Sequence, residues 1–503
     1  MRRAIQISVA LLAFTQICFG QSKGTKISIL NSKLTTIDQT DQGRVFTLVG
    51  NVILGHEGAK MHCDSAVLYN ASNTFVAFGN IFINQHDTLT LTGKTLDYNG
   101  NSKVVAIDGD VKLQTKDMRL ITKAMRYNRE SGNAYYSTRS TLYRNELTLD
   151  ANSGVYNTKY KRATFKGEVI ANDPEYHLET DTLVYYPQAN KYIFYGPSVL
   201  EMDSSTVWTS WGRFDVDAHD LFLAKRAWIH QPKRKIAADS MYYNTERENG
   251  FLQGNAAIAD SSNDYTLAAQ VVEFGSDPFK VTATEEVYYA MVLDADTLYC
   301  AANSLVASKD TAGNRTALLD GNTSLYSLNF QSTSQALLVN EEQSYITLYP
   351  SPTIWAQGGQ YSADTMWIKT DSRALDSIYM MGHVESLRAT EDSAYLDGLK
   401  GKVLQGDFEE DKLTSVRVQG NAQSVVHQIN DGSYAGTNTT KSSWIALWFT
   451  NGALERIISA KDVDAVYTPE GSGAPVGSAD ELIPAPTAEE CSIDLRALLT
   501  PAL

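Results

Sequence analysis

Residues 98–127 read YNGNSKVVAIDGDVKLQTKDMRLITKAMRY and hold one complete copy of the pattern that decides the fold. The copy begins and ends with a tyrosine, 29 residues apart. Asn, Gly and Asp mark two places for chain reversal, because these residues favour turns. Between the reversals apolar and polar residues alternate, which is typical of a half-buried β-strand. One copy therefore predicts two strands joined by a turn.

The same spacing continues on both sides of this copy. Because a lone hairpin is at best marginally stable, the copies must stack to bury their apolar faces. The sequence predicts an all-β fold, a repetitive antiparallel sheet with about 29 residues per two-strand repeat. Its aromatic column is Tyr69, Tyr98, Tyr127, Tyr156, Tyr185, Phe214 and Tyr243, preceded at seven residues by His62, Leu91, Leu120, Leu149, Leu178, Val207 and Ile236.

If the long sheet folds on itself, the apolar columns line a continuous interior. A third column lies nine residues after the aromatic one. We predict that this column and part of the preceding one line a lipid groove, although an ordinary filled core predicts the same pattern. The groove candidates are Phe78, Ile107, Tyr136, Phe165, Phe194, Leu223, Leu252, Leu91, Leu120, Leu149 and Leu178.

The ends of the chain differ from the repeat. Arg2 and Arg3 followed by the mostly apolar stretch 5–19 predict a signal peptide over residues 1–20. Residues 21–307 form the clear repeat, and a looser connecting region follows. The remaining predicted parts are 308–354, the connecting region; 355–470, a second, degenerate repeat region; and 471–503, a disordered tail rich in Ala, Pro, Gly and acidic residues.

Composition and spacing disfavour several functions. The net charge of −15 disfavours nucleic-acid binding, because phosphates require concentrated positive charge. The eight His residues lack metal-ligand spacing, and Cys63, Cys300 and Cys491 make no disulfide framework. We predict no enzyme activity, no cofactor and no metal site.

Two groups of charged residues were candidates for chemistry. Asp64, Asp181 and Asp239 resemble paired carboxylates of a glycosidase. They recur at equivalent repeat positions, which favours a turn-supporting role. The basic cluster that contains Lys225 and Arg226 suits lipid phosphates or, as the favoured interpretation, a solvated loop.

Gly50-Asn51-Val52 followed by the segment 63–70, CDSAVLYN, resembles the OstA-like family. The resemblance covers residues 25–300 well and 355–465 loosely. This family includes the periplasmic lipopolysaccharide-transport protein of LptA type and the N-terminal domain of the outer-membrane lipopolysaccharide assembly protein. The resemblance implies a folded-over antiparallel sheet, called a β-jellyroll, with an apolar groove.

The family resemblance also implies a function. It implies a periplasmic protein that shields lipopolysaccharide or a related lipid and relays it towards the outer membrane. It implies like-folded partners joined head-to-tail through terminal strand edges, an outer-membrane assembly protein, and no catalytic residues. The alternatives are a structural or adhesive envelope β-solenoid with a filled core and a carbohydrate-active β-helix enzyme.

Overall fold

The computed structural model describes residues 25–85, 88–262, 264–292, 297–340, 345–371, 374–390, 395–409, 412–430, 433–450, 453–470 and 482–501. The predicted signal peptide lies outside the described residues. The chain divides into two compact units, Met1–Ala163 and Thr164–Leu503.

Unit 1 consists of antiparallel strands. β1 and β2 both pair with β3, so the first edge of this sheet is divided between two short strands. Near the end of this unit a full-length strand is again paired with two short ones, because β8 pairs with both β9 and β10. The strands are β1 (Ser28–Asn31), β2 (Leu34–Thr40), β3 (Gly43–His56), β4 (Ala59–Tyr69), β5 (Thr74–Gln85), β6 (Leu89–Asn99), β7 (Val104–Thr115), β8 (Arg119–Asn128), β9 (Asn133–Tyr136), β10 (Ser140–Arg144), β11 (Leu147–Ala151), β12 (Ser153–Asn157) and β13 (Arg162–Asn172), which crosses the unit boundary.

Unit 2 continues the same antiparallel pattern. Its strands are β14 (Tyr176–Tyr186), β15 (Lys191–Met202), β16 (Ser205–Asp215), β17 (Asp220–His230), β18 (Arg234–Asn244), β19 (Asn249–Asp260), β20 (Tyr265–Ser276), β21 (Phe279–Val292), β22 (Thr297–Lys309), β23 (Arg315–Tyr326), β24 (Phe330–Asn340), β25 (Tyr345–Tyr349), β26 (Thr353–Ala356), β27 (Gly359–Ser362), β28 (Thr365–Asp371), β29 (Ala374–Ala389), β30 (Leu396–Glu409), β31 (Lys412–Asn430), β32 (Ser433–Thr450), β33 (Ala453–Ala460) and β34 (Asp464–Pro469). Two short helices follow, α1 (Ala488–Cys491) and α2 (Leu495–Leu499). The predicted all-β, antiparallel fold class is confirmed.

Two of the predicted segments contain more regular structure than the sequence indicated. The stretch 308–354, predicted as a looser connecting region, contains β23 to β25 and the start of β26. The stretch predicted as a disordered tail contains α1 and α2. Ser, Thr and Asn in the first stretch concealed period-2 alternation, which the burial of Ala317, Leu319 and Leu325 makes visible.

A bend in the middle of alternate strands organises both units. At most bends two consecutive residues have positive φ, and the pairing register shifts by one residue, which defines a β-bulge. We call each pair a corner. The recurring Gly-Asn units are corners, because glycine adopts positive φ without strain and asparagine tolerates it. The corners include Gly50-Asn51, Gly79-Asn80, Gly109-Asp110, Gly167-Glu168, Lys225-Arg226, Gly254-Asn255, Glu285-Glu286, Gly321-Asn322, Gly382-His383 and Gly420-Asn421.

The corners fold each strand so that its two halves face each other. Tyr176 and Tyr185 lie nine residues apart on β14, and a straight strand of that length would separate them by about 30 Å. Yet Tyr176 donates to the hydroxyl of Tyr192 at 2.6 Å, while Tyr192 stacks on Tyr185 with centroids 4.7 Å apart. The side chains between the two halves form the core.

Candidate functional site

Two rows of side chains run across the strands of unit 2 on the inner face, one on each side of the corners. The first, which we call the continuous row, is apolar throughout except for one glycine. Its members are successive pairing partners: Leu183, Phe194, Gly212, Leu223, Met241, Leu252, Val272, Ala283, Leu305, Leu319, Leu337, Leu348, Met366, Met380, Leu404, Val418 and Ile445.

The second row, which we call the graded row, changes character along its length. It begins with Leu, Val and Ile and later acquires Ser and Thr. Its members are Leu178, Leu200, Val207, Ile229, Ile236, Ile258, Leu267, Tyr289, Cys300, Leu325, Ser332, Ile354, Tyr361, Ser386, Leu399, Ser424 and Thr440.

Unit 1 has corresponding rows. One row contains Leu48, Ala66, Ala77, Leu96, Ile107 and Met125. The other contains Leu54, Met61, Ile83, Leu91, Leu113, Leu120, Leu142 and Leu149.

The structure places ten of the eleven predicted groove residues in the interior. Leu178 belongs to the graded row, and Phe194, Leu223 and Leu252 belong to the continuous row. The remaining buried candidates are Ile107, Tyr136, Phe165, Leu91, Leu120 and Leu149.

Phe78 is the exception, and its placement as a groove residue was wrong. Its side chain is 44% exposed, whereas the preceding residue, Ala77, is fully buried in the unit 1 row. The corner glycines explain this difference, since Gly79 and Gly109 are 30 residues apart rather than 29. A shift of one residue moves every side chain of a strand to the opposite face. The same one-residue shift explains Tyr69, which is half exposed, whereas the preceding residue, Leu68, is buried.

Side chains pack closely in the parts of the interior around Gly212 and two small cavities. Gly212 lies opposite Phe194, and a Cβ atom at position 212 would overlap the phenyl ring. A cavity of about 30 Å³ lies in unit 1 beside Leu54, Phe75 and Tyr98. Another of about 20 Å³ lies in unit 2 beside Tyr265 and Tyr289. Each volume suits roughly one water molecule, so an acyl chain can enter either cavity only if side chains or strands move.

Hydroxyl groups line the interior beside the corners. Thr180 and Ser198 are buried and lie 2.8 Å apart, and Thr180 also donates to the Tyr195 carbonyl at 3.2 Å. Thr209 donates to the carbonyls of Trp211 and Ala224. A bulge interrupts the ladder of backbone hydrogen bonds, and these side chains satisfy carbonyl groups there.

A polar cluster closes one end of the unit 1 interior. The Tyr98 hydroxyl lies 2.7 Å from His56 Nδ1 and accepts from Arg129 at 3.1 Å. Arg129 also donates to the carbonyls of His56 and Glu57, both at 3.2 Å. Burial raises the pKa of Tyr98 above its ordinary value. Because His56 and Arg129 lie at turns from opposite ends of the strands, the cluster ties the two halves of the folded sheet together.

An ion pair extends this cluster at the surface. Lys103 lies 3.0 Å from Glu57, again between turns at opposite strand ends. The hydrogen bond from Lys103 lowers the pKa of Glu57, and the same bond raises the pKa of Lys103. We call these five residues, His56, Glu57, Tyr98, Lys103 and Arg129, the latch.

The sequence contained no signal for the latch or for the tyrosine contacts of β14. His56 and Arg129 are 73 residues apart, and their contact depends on the bend of each strand rather than on repeat spacing. The aromatic column did identify Tyr98 and Tyr185, but as members of a row and not as hydrogen-bonding or stacking groups.

The aspartates considered for glycoside chemistry support corners instead. Asn80 donates to Asp64, and Asn255 donates to Asp239, both at 2.8 Å. Asp181 lies against Gly196, which has positive φ at the bend of β15. Within the described ranges, no three His, Cys, Asp or Glu side chains form a group suited to a metal ion.

The first and last strands expose apolar side chains at the edges of their own units. In unit 1 every residue of β2 is exposed, including Leu34 at 61% and Ile37 at 59%. In unit 2 the last strands, β33 and β34, both pair with β32. Exposed apolar residues on these two strands are Leu454, Ile457, Val466 and Tyr467. Among the helices that the structure describes, none has the length and apolar character needed to cross a bilayer.

The fold and its rows define an all-β repeat protein with an apolar interior enclosed by bent antiparallel strands. Residues 24–181 match the family model described as "OstA-like protein", and the resemblance predicted from the sequence is confirmed. LptH of Pseudomonas aeruginosa, titled the LptA homologous periplasmic component of the lipopolysaccharide transport device, is similar over 22% of this chain and 81% of that chain, with 19% identity and a TM-score of 0.21. No curated protein matches the chain.

Proposed function

We propose that this protein binds the acyl chains of lipopolysaccharide, or of a related lipid, in its apolar interior and relays the lipid towards the outer membrane. The observation that carries the proposal is the continuous row of unit 2. Its apolar side chains succeed one another across paired strands from Leu183 to Ile445. The OstA-like match over residues 24–181 supports the same assignment.

Burial of lipid tails supplies the free energy for binding. Each methylene group transferred from water to an apolar interior contributes about 0.8 kcal/mol. A row without charged side chains allows a tail to move from strand to strand without meeting a buried charge. Binding rather than catalysis is the proposed activity, because Asp64 and Asp239 accept hydrogen bonds from the corner residues Asn80 and Asn255.

Loading requires the folded strands to open. The latch of unit 1 and the contact between Tyr176 and Tyr192 in unit 2 join opposite halves of their strands. Separation of the halves would expose the rows to a tail, and reclosure would remove the tail from water.

The exposed terminal strands suit relay between proteins. An edge strand presents unpaired backbone groups that can extend into a second sheet. Exposed Leu34 and Ile37 on β2, and Ile457 on β33, add apolar contacts to such a junction. We propose like-folded proteins as the head-to-tail partners, an outer-membrane assembly protein at one end, and the periplasm as the location, in agreement with the predicted signal peptide.

Loading of the purified protein tests the binding step. The protein lacking residues 1–20 is mixed with lipopolysaccharide below the concentration at which it aggregates, and saturable complexes are measured by native mass spectrometry. Lipid A is expected to compete, whereas delipidated oligosaccharide is not. Equal competition by the oligosaccharide would contradict acyl recognition, and absence of a saturable complex would contradict lipid binding.

One observation favours a second candidate, a structural envelope protein with a filled core. The Phe194 ring occupies the space over Gly212, and the neighbouring Tyr185 and Tyr192 stack closely. In that case the rows are ordinary core, and the exposed edges join copies into a fibre. The competition experiment distinguishes this candidate, because a permanently filled core takes up no lipid A.

A further inference from the structure

The C-terminal segment 482–501 lies along the outer face of unit 2. Near its start, Trp355 donates from Nε1 to the Ile483 carbonyl at 2.8 Å, and Ile483 N–H donates to Gln360 at 2.9 Å. Helix α1 then contacts β22 and β23, and α2 contacts β18 and β19. The segment therefore runs back across the strands of its own unit, from β26 and β27 towards β17.

Mostly small side chains, interrupted by Tyr288, form a track on the outer face beneath this segment. The successive pairing partners are Ala237, Ala257, Ala268, Tyr288, Ala301, Ser324 and Thr333, from β18 to β24. At one end of the track, Leu499 of α2 is buried against Trp228, Ala237 and Ala257. Small residues allow the helix to approach the sheet closely, and Leu495 and Leu498 complete the apolar contact.

Three side chains of β17 hold the end of α2. Arg226 donates to the Leu498 carbonyl at 2.9 Å, and Trp228 Nε1 donates to the same oxygen at 3.0 Å. His230 Nε2 lies 3.1 Å from the Leu499 carbonyl. The last carbonyls of a helix have no partner within the helix, so these contacts satisfy groups that otherwise require water. We call Arg226, Trp228 and His230 the clasp.

The clasp coincides with a strained corner. Lys225 and Arg226 adopt φ values of 63° and 62°, at a position where most corners begin with glycine. Non-glycine residues rarely adopt this conformation, and strain of this kind persists where the surrounding structure uses the side chain. The Arg226 side chain is used in this way, because it also donates to Asp239 and to the Asn255 carbonyl of the next corner.

We propose that residues 482–501 are a strap that restrains the wall of unit 2 and limits access to the interior behind β20 to β24. The cavity lined by Tyr265, Val281, Tyr289 and Leu305 lies on the inner face of these strands. The strap crosses the same wall on its outer face. Entry of an acyl chain requires the wall to move, so release of the strap precedes entry. This inference rests on the proposed function.

The test removes the Arg226 side chain from the clasp and gives the corner residues that favour positive φ. The double variant Lys225→Gly with Arg226→Asn recreates the Gly254-Asn255 type of corner and removes the guanidinium that holds Leu498. The matched control is Lys461→Gly with Asp462→Asn, because this non-glycine pair also has positive φ and Asp462 accepts a hydrogen bond from the Ser443 hydroxyl, away from the strap. Both variants are made in the full chain.

Hydrogen exchange and binding of a fluorescent long-chain fatty acid are the two measurements. In the clasp variant, amides of β20 to β24 are expected to exchange on the order of tenfold faster, and the fatty acid to bind about threefold more tightly. The control is expected to behave as wild type. A chain ending at residue 481 is expected to reproduce the clasp variant, which separates strap release from an effect of the corner itself.

The outcomes separate the strap from the proposed function. Faster exchange confined to residues 482–501, with unchanged β20 to β24 and unchanged fatty-acid affinity, overturns the strap. Faster exchange of β20 to β24 without fatty-acid binding by any variant supports the strap as a restraint but contradicts acyl binding. Faster exchange together with tighter binding supports both.

Discussion

The two parts of the graded row in unit 2 are built on the same backbone but differ in chemistry. From Leu178 to Leu267 the row contains only Leu, Val and Ile. From Ser332 to Thr440 it includes three serines and a threonine. The corners persist in both parts, as at Gly254 and Gly420. Corners and backbone ladders therefore maintain the fold without a fully apolar row.

The largest expected effect comes from exchanging the chemistry of the two parts. Ile236→Ser removes a fully buried side chain and introduces a hydroxyl group into an apolar row, which is expected to destabilise unit 2 by about 3–5 kcal/mol. Ser332→Ala is expected to change stability by about 1 kcal/mol or less, because the Ser332 hydroxyl has no partner among the described residues. Hydrogen exchange of β18 and β24 amides measures both. Equal losses of stability would mean that side chains in the two parts of the graded row contribute equally to the fold.

The Phe194–Gly212 contact tests how tightly the apolar part is packed. Gly212→Ala is expected to cost about 1–3 kcal/mol, because the new methyl group overlaps the Phe194 ring. Phe194→Ala alone costs about 3–5 kcal/mol through the cavity it leaves. In the double variant the methyl group occupies part of that cavity, so the losses are expected to be less than additive in denaturant unfolding. Strict additivity would show that the two side chains do not compete for space.

Substitutions at the corners, which occur in both parts of the graded row, are expected to change stability less. Gly254→Ala places a side chain at φ +75° against Asp239 and is expected to lose about 1–2 kcal/mol. Lys225→Gly is expected to gain about 1 kcal/mol by relieving the same conformation at its corner. Thermal unfolding of the two variants checks the opposite signs. Two shifts of the same sign would contradict the account of corner strain.

The buried hydroxyl of Tyr136 in unit 1 gives a subtler test of interior packing. Its oxygen has no hydrogen-bond partner within the described ranges, and burial raises its pKa above the ordinary value. Tyr136→Phe is therefore expected to be neutral or to stabilise unit 1 by about 1 kcal/mol. Tyr98→Phe is the matched control and is expected to destabilise, since Tyr98 bonds with Arg129. A clear loss on Tyr136→Phe would reveal a partner for the hydroxyl.

The smallest expected effect is a pH dependence of the latch. The folded-state pKa of Glu57 lies below the ordinary value of 4.5, so its contribution to stability is present above that value and is lost as pH falls through the lowered pKa. The pair is at the surface, so the contribution is small. Because the Thr25 hydroxyl donates to Glu57, the amides of residues 25–27 report on this contact. Their protection factors, each the intrinsic exchange rate divided by the measured rate at the same pH, are expected to fall only in the acid range between pH 7 and pH 3. A fall near neutral pH would exclude Glu57 as the cause.

The sequence predicted the strand pairs and most interior residues because equivalent positions in successive repeats have the same surroundings. Ile107, Phe194 and Leu252 occupy interior positions for this reason. It failed at Phe78 because one copy is a residue longer, although the spacing from Gly79 to Gly109 contained that information. It also could not identify Arg129 or Arg226 as contact residues. Their partners, His56 and Leu498, lie outside the repeat period and are brought near only by folding.

Photocrosslinking in cells tests the central claim, that lipid occupies the interior, most directly. A photoreactive phenylalanine analogue is placed at Phe194, which is buried, or at Phe78, which has the same side chain but lies on the exposed face. Leu223 and Asn157 serve as a second interior and exterior pair. The account predicts crosslinks to labelled lipopolysaccharide from Phe194 and Leu223 and none from Phe78 and Asn157. Crosslinks from neither interior position, in a protein that is stable and exported, or equal crosslinks from both faces, would contradict it.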